Sequence, residues 1–282
     1  MAHCIVPEAE AILDKEFPVL DKGFIRLIDY LGGDERVVQS ARVSYGTGTK
    51  GYREDGGLID YLLRNHHTSP FEQVVLTFHV KLPVFVARQW VRHRTARLNE
   101  ISGRYSVMQE EFYVPIPEDV ALQSTDHKQG RGAEALDREI AQGICTAMAA
   151  AQKRTYTDYA GLIEQGIARE LARINLPLSL YTEFYWQIDL HNLFHFLELR
   201  LSVHAQKEIR CYAGVLLKIT KKVAPRSCMS FEQYVLDGVS FSREEFAEIR
   251  RRLGVAEGSA ADASLEGKDL ARFEAKLKAG DK

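Results

Sequence analysis

The sequence predicts a mixed α/β (α+β) fold, rich in helix, with most of the chain in a single domain. Residues 74–82 alternate, Val74, Leu76, Phe78, Val80 and Leu82 against Val75, Thr77, His79 and Lys81, which is the period of a strand with one buried face. The run SLYTEFYWQIDL, 179–190, is β-branched and aromatic, the composition of a second strand. Helical patterning occupies much of the remainder, and 282 residues at 45 % apolar and 27 % charged suffice for a sizeable core.

Taken in order, residues 1–20 read as a leader. KGFIRLIDYLGG (22–33) is a short amphipathic segment, and DERVVQSARVSYG (34–46) a helix with Asp34 as its cap. GTGTKGYREDGG (46–57) is a flexible or lid-like glycine-rich loop without phosphate-loop spacing. A helix follows that stops near His66 and His67, then the first strand. Pro83 opens a helix, PVFVARQWVRHRTA, because proline is tolerated in a first turn. Residues 107–132 read as a surface connection, and Ala133 to about Gln165 as a long helix with a small-residue stretch. IARELARINLP is a helix ended by Pro177. After the second strand come two helices, 191–203 and 204–223. The domain spans 21–253, and the charged, alanine- and glycine-rich tail, 254–282, reads as a mobile appendage.

Composition excludes several classes. No apolar run approaches the roughly 20 residues of a spanning helix, so no membrane partner is expected. The N-terminus carries acids early and does not read as a secretion signal, which points to the cytoplasm. Cys4, Cys145, Cys211 and Cys228 are scattered, suggesting neither disulfides nor a zinc knuckle, and a net charge of −2 disfavours nucleic acid.

The chemistry concentrates in RHRTARLNEISGRYS, 92–106, where Arg92, Arg94, Arg97 and Arg104 surround one acid, Glu100, and one imidazole, His93. Arginines at a helix end often only complement its dipole. Here Trp90, Val91, Leu98 and Ile101 interleave with them, so part of the run is buried, and one glutamate cannot serve four guanidinium groups. A phosphate or pyrophosphate held by bidentate forks can. His67, Ser69 and Glu72 in HHTSPFE read on chemistry alone as a capped turn. His191, His195 and Glu198 share one helical face. That face is the basis of a rival reading, a metal-dependent hydrolase, although no second liganding cluster is evident and a polar pocket lining fits it better. Arg173 and Arg200 each lie in an apolar helix, to pair with a carboxylate such as Glu170 or Glu198 or to point at substrate. No cysteine has the neighbourhood of an activated thiolate.

RHRTARLNEIS fits the pattern R-H-R, seven residues, Ser. With FVARQWVRHR, NEISGRYS, ARVS, HTSPFE, ELARINLPL and LRLSVHAQKEIR in the same order, the chain from about Asp21 to Phe231 resembles the flavin-dependent thymidylate synthases. The resemblance implies a helix-rich α+β domain with a central, mainly antiparallel sheet. It also implies a homotetramer whose active sites draw on several subunits. The implied reaction is reductive methylation of dUMP to dTMP, with 5,10-methylenetetrahydrofolate as carbon donor, NADPH as reductant and FAD as cofactor. The missing thiolate then makes sense, since cofactor chemistry replaces a protein nucleophile. Metal has no part in it. The implied dUMP contacts are Gln89, Trp90, Val91, Arg92, Glu100, Ile101, Ser102, Gly103, Arg104, Arg173 and Arg200. The implied FAD contacts are Ser44, Ser69, Arg92, His93, Arg94, Thr95, Glu100, Asp189, Leu190, His191 and His195. Arg104 and Arg173 would hold the phosphate. Arg200 would favour loss of the uracil ring N–H proton, His67 would stack or relay a proton near flavin and folate, and Ser102 would position substrate. Asp189-Leu190-His191 departs from the Asn-x-Arg of some members, and Arg97 and Ser202 are also unusual. A nucleotide-binding protein without turnover is the second alternative.

Overall fold

The structure is a computed structural model and describes residues 4–43, 52–125, 130–253 and 267–279. In chain order the elements are α1 (Pro7–Glu10), β1 (Glu16–Val19), β2 (Gly23–Leu31), α2 (Asp34–Arg42), α3 (Tyr52–Arg64), β3 (Val75–Pro83), α4 (Val84–Trp90) and β4 (Arg97–Glu100). There follow β5 (Ala121–Gln123), β6 (Arg131–Ala135), α5 (Arg138–Glu164), α6 (Arg169–Ala172), β7 (Tyr181–Asp189), α7 (Leu190–Leu201), α8 (Lys207–Val223), α9 (Pro225–Phe231), α10 (Arg243–Arg252) and α11 (Gly267–Ala279). Two compact units result, residues 1–228 and 229–282.

The first unit is built on a five-stranded sheet of order β1-β2-β3-β7-β4, antiparallel at every pairing. The expected α+β class with a central antiparallel sheet is what the structure has. Leu76, Phe78, Val80 and Leu82 of β3 and Phe184, Trp186 and Ile188 of β7 are buried on one face. There α4, α7 and α8 pack on the sheet. Trp90 is the centre of this core, with its ring 4.7 Å from Phe196 and 5.0 Å from Trp186. The alternate residues make the other face polar. Arg26 donates to His79 Nδ1 at 2.8 Å, and His79 Nε2 donates to Glu183 at 3.0 Å. Arginine can only donate, so the ring hydrogen belongs on Nε2.

Several local expectations change. Residues 23–31 are a strand, not an undefined amphipathic segment. A register irregularity between Leu27 and Asp29 interrupts the alternation, and the buried hydrophobic side chains are Ile25, Leu27 and Tyr30. Asp34 does not cap its own helix, whose N-cap is Gly33. Its carboxylate accepts instead from the backbone N–H groups of Arg226 and Ser227, both at 2.8 Å, and so caps α9. The helix opened by Pro83 ends at Trp90, which leaves the arginines on a turn and on β4. Residues 121–135 include the small β5–β6 sheet rather than only a connection. IARELARINLP holds one helical turn and a 3₁₀ turn, 173–175. In the second unit, α10 carries a Ser242/Glu245 capping box, and residues 267–279, read from composition as part of a mobile appendage, are helical. Lys276 pairs with Glu245 at 2.6 Å and Arg252 lies over the Phe273 ring, so α10 and α11 belong together and the unit begins well before residue 254.

Candidate active site

The segment 91–106 is shaped by its two ends. His93 N–H closes the turn after α4 on the Trp90 carbonyl at 3.0 Å, and β4 then pairs with the free edge of β7. Ile101 N–H reaches the Glu183 carbonyl at 2.9 Å, after which Ser102 to Tyr105 turn back. The segment thereby borders two cavities.

The first cavity has a volume of about 360 Å³ and is lined by Arg92 to Thr95 on one side and by Ile188, Asn192, His195, Leu199 and Arg200 on the other. Among the described residues lining it there is no carboxylate. Arg200 Nε–H donates to His93 Nε2 at 3.0 Å, and its Nη2 donates to the Gln89 carbonyl at 3.2 Å. Burial first, then the charges of Arg200 and His195, press the His93 pKa down to about 4, so its imidazole is neutral near pH 7. Burial and then the charge of Arg92 hold Arg200 below the usual arginine range. Like charges gathered without an acid are what an anion relieves.

The second cavity has a volume of about 400 Å³ and is lined by Glu100, Ile101, Gly103, Met108, Glu170, Arg173, Thr182 and apolar neighbours. Thr182, buried on β7, donates its hydroxyl to Glu100 Oε1 at 2.6 Å. Arg104 Nε–H donates to Glu170 at 3.1 Å. A side chain at Gly103 would meet Arg173 Cδ at 3.0 Å and Met108 Sδ at 3.1 Å, so Arg173 lies close against the turn and a larger residue would have to push it back by a few tenths of an ångström. Ser102 Oγ accepts from the Arg104 N–H at 3.3 Å, a turn contact.

The expected residues thus sort themselves. Arg92, His93, Arg94, Thr95, His195 and Arg200 come together at the first cavity; Glu100, Ile101, Gly103 and Arg173 do so at the second, with Arg104 and Ser102 beside them. Arg200, expected with dUMP, is grouped with flavin-assigned residues. Gln89 borders neither cavity; its side chain donates to Gln206. Trp90 and Leu190 are wholly buried, so their side chains serve the core and only their backbone could face a ligand. Val91 is half-buried as the cap residue of α4. The Asp189 carboxylate caps α7 through Asn192 N–H at 2.9 Å, and half-buried His191 does not line the cavity. His67 and Ser69 are exposed on the turn after α3, where His66 adopts φ 56°, and His67 stands edge-on to Tyr61. Ser44 lies outside the described residues. The carboxylates suggested for Arg173 and Arg200 are engaged elsewhere, Glu170 with Arg104 and Glu198 with His195 at 3.9 Å. Arg97 bonds the Gln187 amide oxygen at 3.2 Å. His191, His195 and Glu198 do not form a metal-holding group among the described residues. Sequence reading missed Asn192 and Thr182, for which no local signal exists.

Residues 26–226 match the family described as thymidylate synthase complementing protein, and residues 239–282 that described as thymidylate synthase ThyX C-terminal domain. The chain is 63 % identical over 268 residues to the flavin-dependent thymidylate synthase of Treponema denticola, covering 95 % of this chain and 99 % of that one. To the flavin-dependent thymidylate synthase of Thermus thermophilus it is 54 % identical over 233 residues, covering 83 % and 84 %. Among solved structures it resembles the UMP/dUMP methylase PolB from Streptomyces cacaoi bound with 5-Br dUMP, with a TM-score of 0.69 and 30 % identity, over 78 % of this chain and 98 % of that one.

Proposed function

The chain belongs to the flavin-dependent thymidylate synthase family, and on that premise we propose that it methylates dUMP reductively to dTMP. In this reading 5,10-methylenetetrahydrofolate gives the carbon, NADPH gives the electrons, FAD is the cofactor and a homotetramer is the working form. The observation that supports it best is the course of residues 92–104, which runs from a cationic cavity without a carboxylate to a second cavity beside Arg104 and Arg173. The residues assigned to dUMP divide the same way, Gln89, Arg92 and Arg200 near the first cavity and Glu100 to Arg104 with Arg173 at the second. No described residue lines both. We take a nucleotide that touches both sets to lie between two copies of the chain, each lending one set.

The donor set of the first cavity fits the pyrophosphate of FAD: Arg92, Arg94 and His195 offer cationic or N–H donors, and Asn192 and Thr95 neutral ones. When bound, the flavin supplies the redox and one-carbon chemistry that the chain lacks. The chain's own residues do the rest. Arg104 and Arg173 hold the nucleotide phosphate. Arg200, charged beside the uracil ring, favours loss of its ring N–H proton and raises electron density at the carbon to be methylated. Ser102 positions the nucleotide, and His67 stacks on or relays a proton near flavin and folate. No described helix is long and apolar enough to cross a membrane, and the cytoplasm is the proposed location. Purified protein should be yellow, should bleach with NADPH in the absence of air, and should form dTMP from dUMP when given methylenetetrahydrofolate. A colourless protein inhibited by chelator would favour the metallohydrolase; dUMP binding without dTMP would favour a binding protein.

A further inference from the structure

The guanidinium assigned to the uracil ring is held by an uncharged group that lines the same cavity. Arg200 gives its Nε–H to His93 Nε2 at 3.0 Å and one Nη2 hydrogen to the Gln89 carbonyl at 3.2 Å, while lining the first cavity itself. Two contacts on two nitrogens fix both the plane and the direction of the group. The Nη1 hydrogens and the second Nη2 hydrogen remain for a ligand. His93 is fixed in turn: its backbone N–H bonds Trp90, and its ring stands edge-on to Phe196, with centroids 4.8 Å apart. Since arginine only donates, Nε2 must accept, and a neutral ring carries its hydrogen on Nδ1.

The choice of an uncharged acceptor has a consequence. A carboxylate in this place would orient Arg200 equally well but would cancel the charge that is to stabilise an anion. Glu198, two residues before Arg200 on α7, lies instead 3.9 Å from His195. We infer that His93 is a positioning residue for Arg200, holding the guanidinium in line with the nucleotide base while leaving its full positive charge to the cavity. The inference rests on the reading that Arg200 acts on the uracil ring.

The test uses the flavin-loaded enzyme and four variants, His93→Leu, His93→Gln, Arg200→Ala and the double variant His93→Leu/Arg200→Ala. Measured for each are turnover, dUMP affinity by calorimetry and flavin affinity by fluorescence quenching. His93→Leu, assayed at saturating flavin, should lower kcat by about 100-fold, the scale of a misplaced catalytic group, with dUMP affinity within about threefold of the parent. His93→Gln puts a neutral oxygen close to where Nε2 was and should recover kcat to within about fivefold of the parent, which also covers the case that the leucine variant fails to fold. The double variant should be no slower than Arg200→Ala alone, because residues acting as a unit are non-additive. Normal turnover in His93→Leu, multiplicative losses in the double variant, or a folded, ligand-binding His93→Gln as slow as Arg200→Ala would overturn the inference. So would His93→Leu losing flavin but turning over normally when flavin is saturating. Normal turnover in Arg200→Ala would overturn the reading of Arg200 itself, and the inference with it.

Discussion

The Arg104–Glu170 pair predicts opposite effects from its two members. Arg104 Nε is 3.1 Å from Glu170, with the side chains 56 % and 54 % exposed. An ion pair so open to water is worth about 0.5 kcal/mol. A fork from Arg104 to a phosphate is charge-assisted and contributes about 2 kcal/mol, against which the Glu170 contact must be given up. Arg104→Ala therefore loses the difference, about 1.5 kcal/mol, or roughly tenfold in the dUMP dissociation constant at about 1.4 kcal/mol per decade. Glu170→Gln removes the competitor and a negative charge near the phosphate, so it should tighten dUMP by about twofold. Titration calorimetry at 0.1 M and 0.5 M salt measures both, and the gain from Glu170→Gln should shrink at the higher salt. An unchanged constant in Arg104→Ala, or weaker binding in Glu170→Gln, would refute the reasoning.

Thr182→Val removes the hydroxyl that holds Glu100, and loss of a bond to a charged acceptor, discounted because Glu100 is exposed, should raise KM for dUMP by about fivefold. Thr182→Ser should restore it, and a KM unchanged in the valine variant would count against the contact. The His93 pKa of about 4, against 6.5 in an open chain, gives a pH effect of definite sign. The unfolded chain binds the extra proton between these values, so this contribution to stability is complete above pH 6.5 and falls as pH drops towards 4. His93→Gln should flatten the decline in thermal stability between pH 7 and pH 4.5; an identical slope in both proteins would assign it to other groups.

Legibility followed from how local the signals are. Strand β3 and helix α7 are plain because burial writes a period into adjacent residues, and RHRTARLNEISGRYS holds in one stretch much of what borders the two candidate cavities. Strand β4 left no trace, since all four of its residues are exposed and its existence depends on the edge of β7. Strand β2 lost its alternation at a bulge. Asp34 is followed by a helix and so reads as its cap, yet its partners lie 192 and 193 positions away. The contacts that orient the site are equally remote: His93 and Arg200 are 107 positions apart, Glu100 and Thr182 82. Their residue types can be read from sequence, but their pairing is made only by the sheet and the packing of α7 beside α4.

The division of the dUMP residues between two cavities makes the central claim open to one measurement. Arg200→Ala disables the first set, and the double variant Arg104→Ala/Arg173→Ala, which removes both phosphate holders, the second, so each variant alone should form dTMP very slowly. Co-expressed in equal amounts, they can assemble sites that draw the intact first set from one copy and the intact second set from another. With random assembly such sites are about a quarter of the total, and dTMP formation should recover to about a quarter of the parent rate. A mixed preparation no more active than either variant alone would contradict a site shared between copies.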